Sequence, residues 1–238
     1  TYTWSNGETT EDLNNLGAGT YSVIVADENG CSVETSIEIT QTDEMEISET
    51  YSDYETYGVS CFGYTDGEID VTVNGGTGNY TYTWSNGETT EDLNGIGAGT
   101  YNVIVADENG CSIETSVEIT EPDGMVLSET HSNYTGYGVS CFGEADGAID
   151  VTVSGGSGGY TYLWSSGQIT EDLDNIPAGN YTLTVTDSNG CELSISVEIT
   201  QTDEMEISEN LSNYTEFGVS CFGYTDGEID ITVNGGTG

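Results

Sequence analysis

The chain contains no lysine and no arginine, and its single histidine, His131, stands against 43 acidic side chains, giving a formal net charge of −43 at neutral pH. Without cations the acids have almost no intrachain salt-bridge partners. A field of this sign repels phosphate, which excludes DNA, RNA and anionic membrane surfaces as partners and favours solubility and cations. The missing lysine also rules out Lys–Asn isopeptide cross-links and, with the missing arginine, leaves no site for trypsin-like proteases. No apolar run approaches the ~20 residues of a membrane helix, so no membrane insertion is expected, and no signal peptide opens the chain, which fits an internal or processed segment. Helical periodicity and metal-type CxxC spacing are absent as well.

What is present argues for a folded chain. Acidic disorder is poor in aromatic and β-branched residues, whereas this chain has 16 Tyr and 3 Trp and a regular alternation of Val, Ile and Thr. Its six evenly spaced Cys point to an oxidising compartment and therefore to secretion.

Laid on itself with a period of eighty, the chain aligns Trp4, Trp84 and Trp164, then Tyr21, Tyr101 and Tyr181. Cys31, Cys111 and Cys191 fall in one column, and Cys61, Cys141 and Cys221 in another. A period of this size calls for a repeat architecture. Substitutions between copies separate core from surface. Val33/Ile113/Leu193 and Leu16/Ile96/Ile176 exchange apolar for apolar, whereas Glu55/Thr135/Thr215 and Tyr64/Glu144/Tyr224 change character. The chain stops two residues short of three periods, so it is expected to be a window on a longer array. Boundaries are placed at the polar links Gln41–Glu44, Glu121–Gly124 and Gln201–Glu204. Complete repeats then occupy 41–120 and 121–200, flanked by a C-terminal half at 1–40 and an N-terminal half at 201–238.

Within 41–120 the pattern predicts strands at Met45–Glu49, Gly58–Phe62, Glu68–Val73, Tyr80–Trp84, Thr100–Ala106 and Cys111–Thr120. Ser85-Asn86-Gly87 reads as a hairpin turn and Asp107–Gly110 as a second turn. About seven short strands between Gly/Asn/Asp turns make an antiparallel β-sandwich. The segment Ile96–Tyr101 resembles the tyrosine corner of immunoglobulin-like domains, with Trp84 as the core aromatic, so the expected fold is all-β, a tandem array of Ig-like sandwiches. Eighty residues bury a modest core, and a staple or support from a neighbour is expected.

Three cysteine connectivities are open. Pairing Cys61 with Cys111 and Cys141 with Cys191, with Cys31 and Cys221 paired outside the window, closes loops of about fifty residues worth ~4 kcal/mol each. Pairing Cys31–Cys61, Cys111–Cys141 and Cys191–Cys221 joins consecutive repeats. A third scheme ties the base of one sandwich to the top of the next.

The uncompensated acids invite a counter-ion. Asp107, Glu108 and Asn109 are placed to face Asp43 and Glu44, and Asp187 and Asn189 to face Asp123, oxygen donors that suit calcium. The competing reading makes these residues ordinary hairpin turns whose carboxylates stay solvated. Gly75-Gly76-Thr77-Gly78-Asn79 lacks the Asp and the nine-residue recurrence of a calcium nonapeptide, and Asp27–Gly30 lacks EF-hand spacing. No catalytic residues are assigned. His131 is Tyr51 and Leu211 in the other copies, and there is no Lys or Arg to stabilise an oxyanion. Sequons occur at Asn79, Asn133, Asn180, Asn210 and Asn213.

The recurring string CFGxxDGxIDVTVxGGxGxYTYxWSxGxxTEDLxxIxAGxYxxxVxDxNGC resembles the SprB repeat family, found in very large surface adhesins of gliding and other Bacteroidetes. The resemblance spans essentially the whole chain and is densest from Tyr82 to Cys111. It implies a non-enzymatic, extracellular, cell-surface filament protein exported by type IX secretion, with a role in attachment and, in gliders, motility. The expected function is the shaft of an adhesin filament, in which each repeat adds roughly 30–40 Å. Its partners are then neighbouring repeats of the same polypeptide, other copies in a filament, and surface or glycan ligands elsewhere in the full protein. The alternatives are a structural homopolymer or sheath whose half-repeats are completed by neighbouring chains, and a glycan-binding repeat module.

Overall fold

The computed structural model describes residues 1–237. The protein is all-β, with strands β1 (Tyr2–Trp4), β2 (Gly19–Ala26), β3 (Ser32–Ile39), β4 (Glu46–Tyr51), β5 (Gly67–Asn74), β6 (Thr81–Trp84), β7 (Leu93–Ile96), β8 (Gly99–Ala106) and β9 (Ser112–Ile119). They continue as β10 (Val126–His131), β11 (Gly147–Ser154), β12 (Thr161–Trp164), β13 (Leu173–Ile176), β14 (Gly179–Thr186), β15 (Glu192–Ile199), β16 (Glu206–Leu211) and β17 (Ile229–Asn234). Two compact units form. One gathers Thr1–Thr50, Ile69–Leu93 and Thr100–Val117; the other gathers Tyr51–Glu68, Asn94–Gly99 and the chain from Glu118 onward.

The second unit contains a full sandwich. One sheet has the order β10–β11–β13 and the other β12–β14–β15, all antiparallel. This is the ABE and CFG arrangement of an immunoglobulin constant-type domain without its D strand. Alternation decides which side chains go inside: Ile149 and Val151 from one sheet meet Leu183, Val185, Val197 and Ile199 from the other around Trp164. Trp164 Nε1 donates to Thr170 O at 2.9 Å, which satisfies the one polar atom that this ring carries inward. Tyr181 OH donates to Pro177 O at 2.8 Å, four residues upstream, which is the tyrosine corner.

In the first unit, β6–β8–β9 and β1–β2–β3 have the same three-stranded order. Tyr21 OH reaches Gly17 O at 3.1 Å, and Trp84 Nε1 reaches Thr90 O at 2.8 Å. The alternation expected for Ile69, Val71 and Val73 is observed, all three being buried while Asp70 and Thr72 are exposed.

Three local expectations are corrected. The turn expected at Ser85-Asn86-Gly87 forms, Gly87 N donating to Trp84 O and Trp84 N to Glu88 O at 3.0 Å each with Gly87 at φ 93°, but the returning chain does not go on to pair with β6, which pairs with β8 instead. The loop beyond it holds a strand. Leu173 and Ile176 are both buried, although a spacing of three would put them on opposite faces of a regular strand. A bulge absorbs the extra residue: Gly147 opposes Ile176, Ala148 opposes Asp174, and Asn175 between them takes φ 55°. Finally, Gly58–Phe62 is not a strand. Gly58 and Val59 both donate to Thr120 O, and Val59 is buried as a plug.

Candidate functional site

The segment Ser60–Asp66 forms a closed loop. Tyr64 N donates to Cys61 O at 3.0 Å, with Gly63 at φ 74°, so Cys61-Phe62-Gly63-Tyr64 is a turn with glycine in the position that needs a positive φ. Asp66 closes it, accepting Ser60 N at 3.1 Å on Oδ1 and Ser60 Oγ at 2.5 Å on Oδ2. The clamp recurs at Ser220 and Asp226 at 3.1 and 2.5 Å, and Ser140 N donates to Asp146 Oδ1 at 3.0 Å. The Ser140 hydroxyl, and then its backbone N–H, hold the Asp146 carboxyl below the usual carboxylate range; Ser220 does the same for Asp226. From the chain beyond, Glu121 Oε2 accepts Gly63 N at 2.6 Å, and Gln201 Oε1 accepts Gly143 N at 3.0 Å. The loop therefore presents a cysteine and a phenylalanine on a braced turn.

The turn before β15 is built on Asp187. Its Oδ1 accepts Asn189 N at 3.0 Å and Cys191 N at 2.9 Å, and its Oδ2 accepts Ser157 N at 2.9 Å. Burial pushes this carboxyl up, but the hydrogen bonds from Ser157, Cys191 and Asn189 together outweigh it and leave Asp187 below its ordinary value. A Cβ on Gly156, whose φ is 66°, would stand 2.7 Å from Asp187 Oδ2 and from Met125 Cγ. The glycine pair is therefore the cradle of this aspartate. Asp107 repeats the arrangement, accepting Asn109 N and Cys111 N at 2.9 Å and Thr77 N at 2.9 Å.

Loop and turn meet in the second unit. Cys61 and Cys191 form a disulfide across 130 residues, with Cα atoms 5.8 Å apart. Around it Asn189 Nδ2 donates to Ser60 O at 3.1 Å and to Tyr54 O at 3.4 Å, while Ser188 Oγ donates to Glu55 Oε2 at 2.9 Å. Phe62 lies over Gly124, where a Cβ would come within 3.3 Å of its ring.

Neither expected pair, Cys61–Cys111 or Cys141–Cys191, forms; Cys111, Cys141, Cys31 and Cys221 are exposed thiols. The reason is visible for Cys141 and Cys191. Val139 N donates to Thr200 O at 3.1 Å, which fixes Cys141 at the far end of β15, whereas Cys191 precedes its first residue. Eight strand residues span roughly 26 Å, far beyond the ~4.4–6.8 Å that a disulfide bridges.

Three of the eight candidate calcium ligands, Asp107, Asp187 and Glu108, have carboxylate oxygens engaged within the protein. Asp107 and Asp187 spend both carboxylate oxygens on backbone N–H groups, and Glu108 Oε1 accepts Asn79 N at 3.2 Å and Nδ2 at 2.9 Å. Asn109 and Asn189 donate their backbone N–H groups to those aspartates. Asp43 and Asp123 contribute their carbonyl oxygens to Gly76 N at 3.0 Å and Gly156 N at 2.7 Å, and Glu44 O sits where a Cβ on Gly75 would be. Among the described residues no three His, Cys, Asp or Glu side chains are grouped to hold a metal ion. His131 Nδ1 lies 3.0 Å from Glu129 Oε2 on the surface.

Sequence reasoning passed over Ser60, Phe62, Asp66, Glu121 and Gly124. The signal was available: Ser-Cys-Phe-Gly followed by Asp three residues on recurs at 60, 140 and 220.

The family model described as the SprB repeat matches residues 56–89, 139–169 and 219–238. No curated protein sequence matches the chain. Among solved structures, the N-terminal eight Ig domains of Down Syndrome Cell Adhesion Molecule isoform 1.30.30 are similar at 13% identity and a TM-score of 0.42, covering 84% of this chain and 32% of that one. The C-terminal 282-residue fragment of intimin, in complex with the intimin-binding domain of its translocated receptor, gives 12% identity and 0.31, covering 79% and 59%. Drosophila OTK extracellular domains 3–5 give 11% and 0.27, covering 77% and 71%. The chain thus spans about a third of the first of these structures.

Proposed function

For a chain built of SprB repeats, we propose a role as a segment of the extracellular shaft of a cell-surface adhesin filament, non-enzymatic and repeating with a period of eighty residues. The observation that carries this reading is the bracing of the Cys61–Cys191 disulfide by Asn189, Ser188 and Glu55. It supports a design in which the Cys-Phe-Gly loop of each repeat, 41–120 and then 121–200, is fastened to the Asp-x-Asn-Gly-Cys turn of the repeat that follows. Spacing rather than chemistry is then the product of the fold. The disulfide fits an oxidising, extracellular setting, and the −43 charge keeps neighbouring shafts apart. Export by the type IX route, attachment and gliding belong to the same reading through the family.

Small-angle scattering of the oxidised chain tests it. Repeats of roughly 30–40 Å in series give a maximum dimension of about 90–120 Å, whereas a compact body of this length has a radius of gyration near 18 Å and a diameter of about 50 Å. The second value would remove the shaft.

A further inference from the structure

The positions that change character between copies gather at the fastening. Glu55/Thr135/Thr215 lead into the Cys-Phe-Gly loop and Tyr64/Glu144/Tyr224 follow it, while Glu28/Glu108/Ser188 lie in the turn and Gln41/Glu121/Gln201 in the link that the loop meets. Where the loop is seated, Ser188 Oγ donates to Glu55 Oε2 at 2.9 Å. Glu121 Oε2 accepts Gly63 N at 2.6 Å, and the residue after that glycine is Tyr64. At the next loop the brace is Gln201, whose Oε1 accepts Gly143 N at 3.0 Å, and the residue after the glycine is Glu144. At all three places an acid on one side has a neutral residue on the other.

The turn residue shows what the exchange does. In the first unit Glu108 folds down on the glycine loop, its Oε1 accepting Asn79 N at 3.2 Å and Asn79 Nδ2 at 2.9 Å. The equivalent of Asn79 in the second unit is Gly159. Ser188, which replaces the glutamate there, lies with its Oγ 3.1 Å from Ser157 Oγ and gives its hydroxyl to Glu55. A glutamate at 188 would find no amide side chain to hold it and would share the space with the Glu55 carboxylate. The chain has no lysine or arginine to bridge two such acids, so a neutral residue on one side is what relieves their repulsion.

We propose that these residues are a matching code that decides which Cys-Phe-Gly loop seats in which cradle. A loop entered through an acid, as at Glu55, seats only against a neutral turn residue, as at Ser188. A loop followed by an acid, as at Glu144, seats only against a neutral brace, as at Gln201. The concavity of about 530 Å³ around Asp43, Met45, Gly76 and Cys111 is equivalent to the surface around Asp123, Met125, Gly156 and Cys191 on which Cys61 and Phe62 sit. Its link residue is Gln41 and its turn residue Glu108, where the occupied cradle has Glu121 and Ser188. The loop that fits it is therefore of the Thr135 and Glu144 kind, and a loop of the Glu55 and Tyr64 kind is turned away at Glu108. The code rests on the loop-to-turn fastening of the shaft and adds an order of repeats to their spacing.

Ser188→Glu in the full chain gives the second cradle the turn residue of the first and provides the test. The readout is the equilibrium in which two glutathiones reduce the Cys61–Cys191 bond to two thiols and leave as glutathione disulfide, followed by alkylation and mass spectrometry of both cysteines. At low salt Ser188→Glu is expected to make the bond about fivefold easier to reduce, the repulsion of two unit charges ~4 Å apart in water. The deficit is expected to vanish at ~1 M salt and when Glu55→Thr, the residue of the other two copies, is added to close a double-mutant cycle. Glu55 and Ser188 are both exposed, so neither change threatens folding. Tyr64→Glu is expected to shift the bond in the same direction and Glu121→Gln to restore it. A Ser188→Glu chain that holds its bond like the parent at low salt, a deficit that survives high salt, or one that Glu55→Thr leaves in place overturns the code. Scattering decides the shaft separately: a compact particle with the cycle as expected removes the shaft and keeps the code, and a long particle without the coupling does the reverse.

Discussion

Replacing Asp187 by alanine tests the central device of the fold. The carboxylate is 5% exposed and accepts N–H groups from Asn189 at 3.0 Å, Cys191 at 2.9 Å and Ser157 at 2.9 Å. Removing it leaves three buried or half-buried donors without an acceptor, each costing about 1–3 kcal/mol, so Asp187→Ala is expected to lose at least about 3 kcal/mol. Asp187→Asn keeps one acceptor oxygen and turns the other group into a donor facing a donor, and is expected to fall between. The pH dependence has a definite sign. Because the folded carboxyl titrates below its unfolded value, its contribution is complete above the unfolded pKa of about 3.9 and is lost as pH falls through the folded value. Denaturant midpoints from neutral to acid pH, with amide exchange at Asn189 and Cys191, give the readout. A loss under about 1 kcal/mol, or an acid limb identical in the alanine variant, would refute the assignment of Asp187 as the acceptor that holds this turn.

Other outcomes follow from the same geometry. Thr56 sits at φ 122°, where the equivalent Gly136 has φ 100°, so Thr56→Gly is expected to stabilise by about 1 kcal/mol and Gly136→Thr to destabilise by a similar amount in thermal melts; a destabilised Thr56→Gly contradicts this. Burial, and then the hydrogen bond to Glu91, push Tyr82 up to about 12. Its contribution to stability is therefore complete below the ordinary tyrosine pKa of about 10 and is lost as pH rises toward 12, which tyrosinate absorbance and melting temperature report together; Tyr82→Phe should flatten that alkaline loss. Calcium and chelator are expected to leave the melting temperature unchanged, since Asp107 and Asp187 already spend their oxygens on the backbone, and a rise of several degrees with calcium would restore the ion reading.

Alternation made most strands legible, because Ile69-Asp70-Val71-Thr72-Val73 on β5 can bury only one of its faces. It failed at Leu173-Asp174-Asn175-Ile176, where the bulge at Asn175 shifts the phase by one residue and no period-two pattern survives. The turn expected after Trp84 formed, but the pairing stops there, because β6 is already paired with β8 and the chain crosses to the other sheet. Connectivity of the cysteines was not legible, since it depends on which end of β15 each one occupies. The letters Asp-x-Asn-Gly do not say whether a carboxylate faces a metal or folds onto the backbone; Asp107 and Asp187 accept the amides of Asn109 and Cys111 and of Asn189 and Cys191, which follow them, and those of Thr77 and Ser157 from the Gly-Gly loop. The Ser-Cys-Phe-Gly-x-x-Asp loop was written three times and passed over because its phenylalanine points outward, against the usual sense of a core aromatic.

The disulfide between Cys61 and Cys191 also changes what the chain does when its two ends are pulled. The sulfur bridge is a shorter covalent path than the backbone it encloses, so the 130-residue separation, about 440 Å of slack at ~3.4 Å per residue, bears no load while the bond is intact. Unfolding the enclosed strands would not lengthen the protein, whereas β15, which begins just after Cys191, stays in the path of the load. The redox state of one bond thus decides whether the enclosed residues can contribute to extension, and a reductant adds several hundred ångströms that the protein can yield before it breaks.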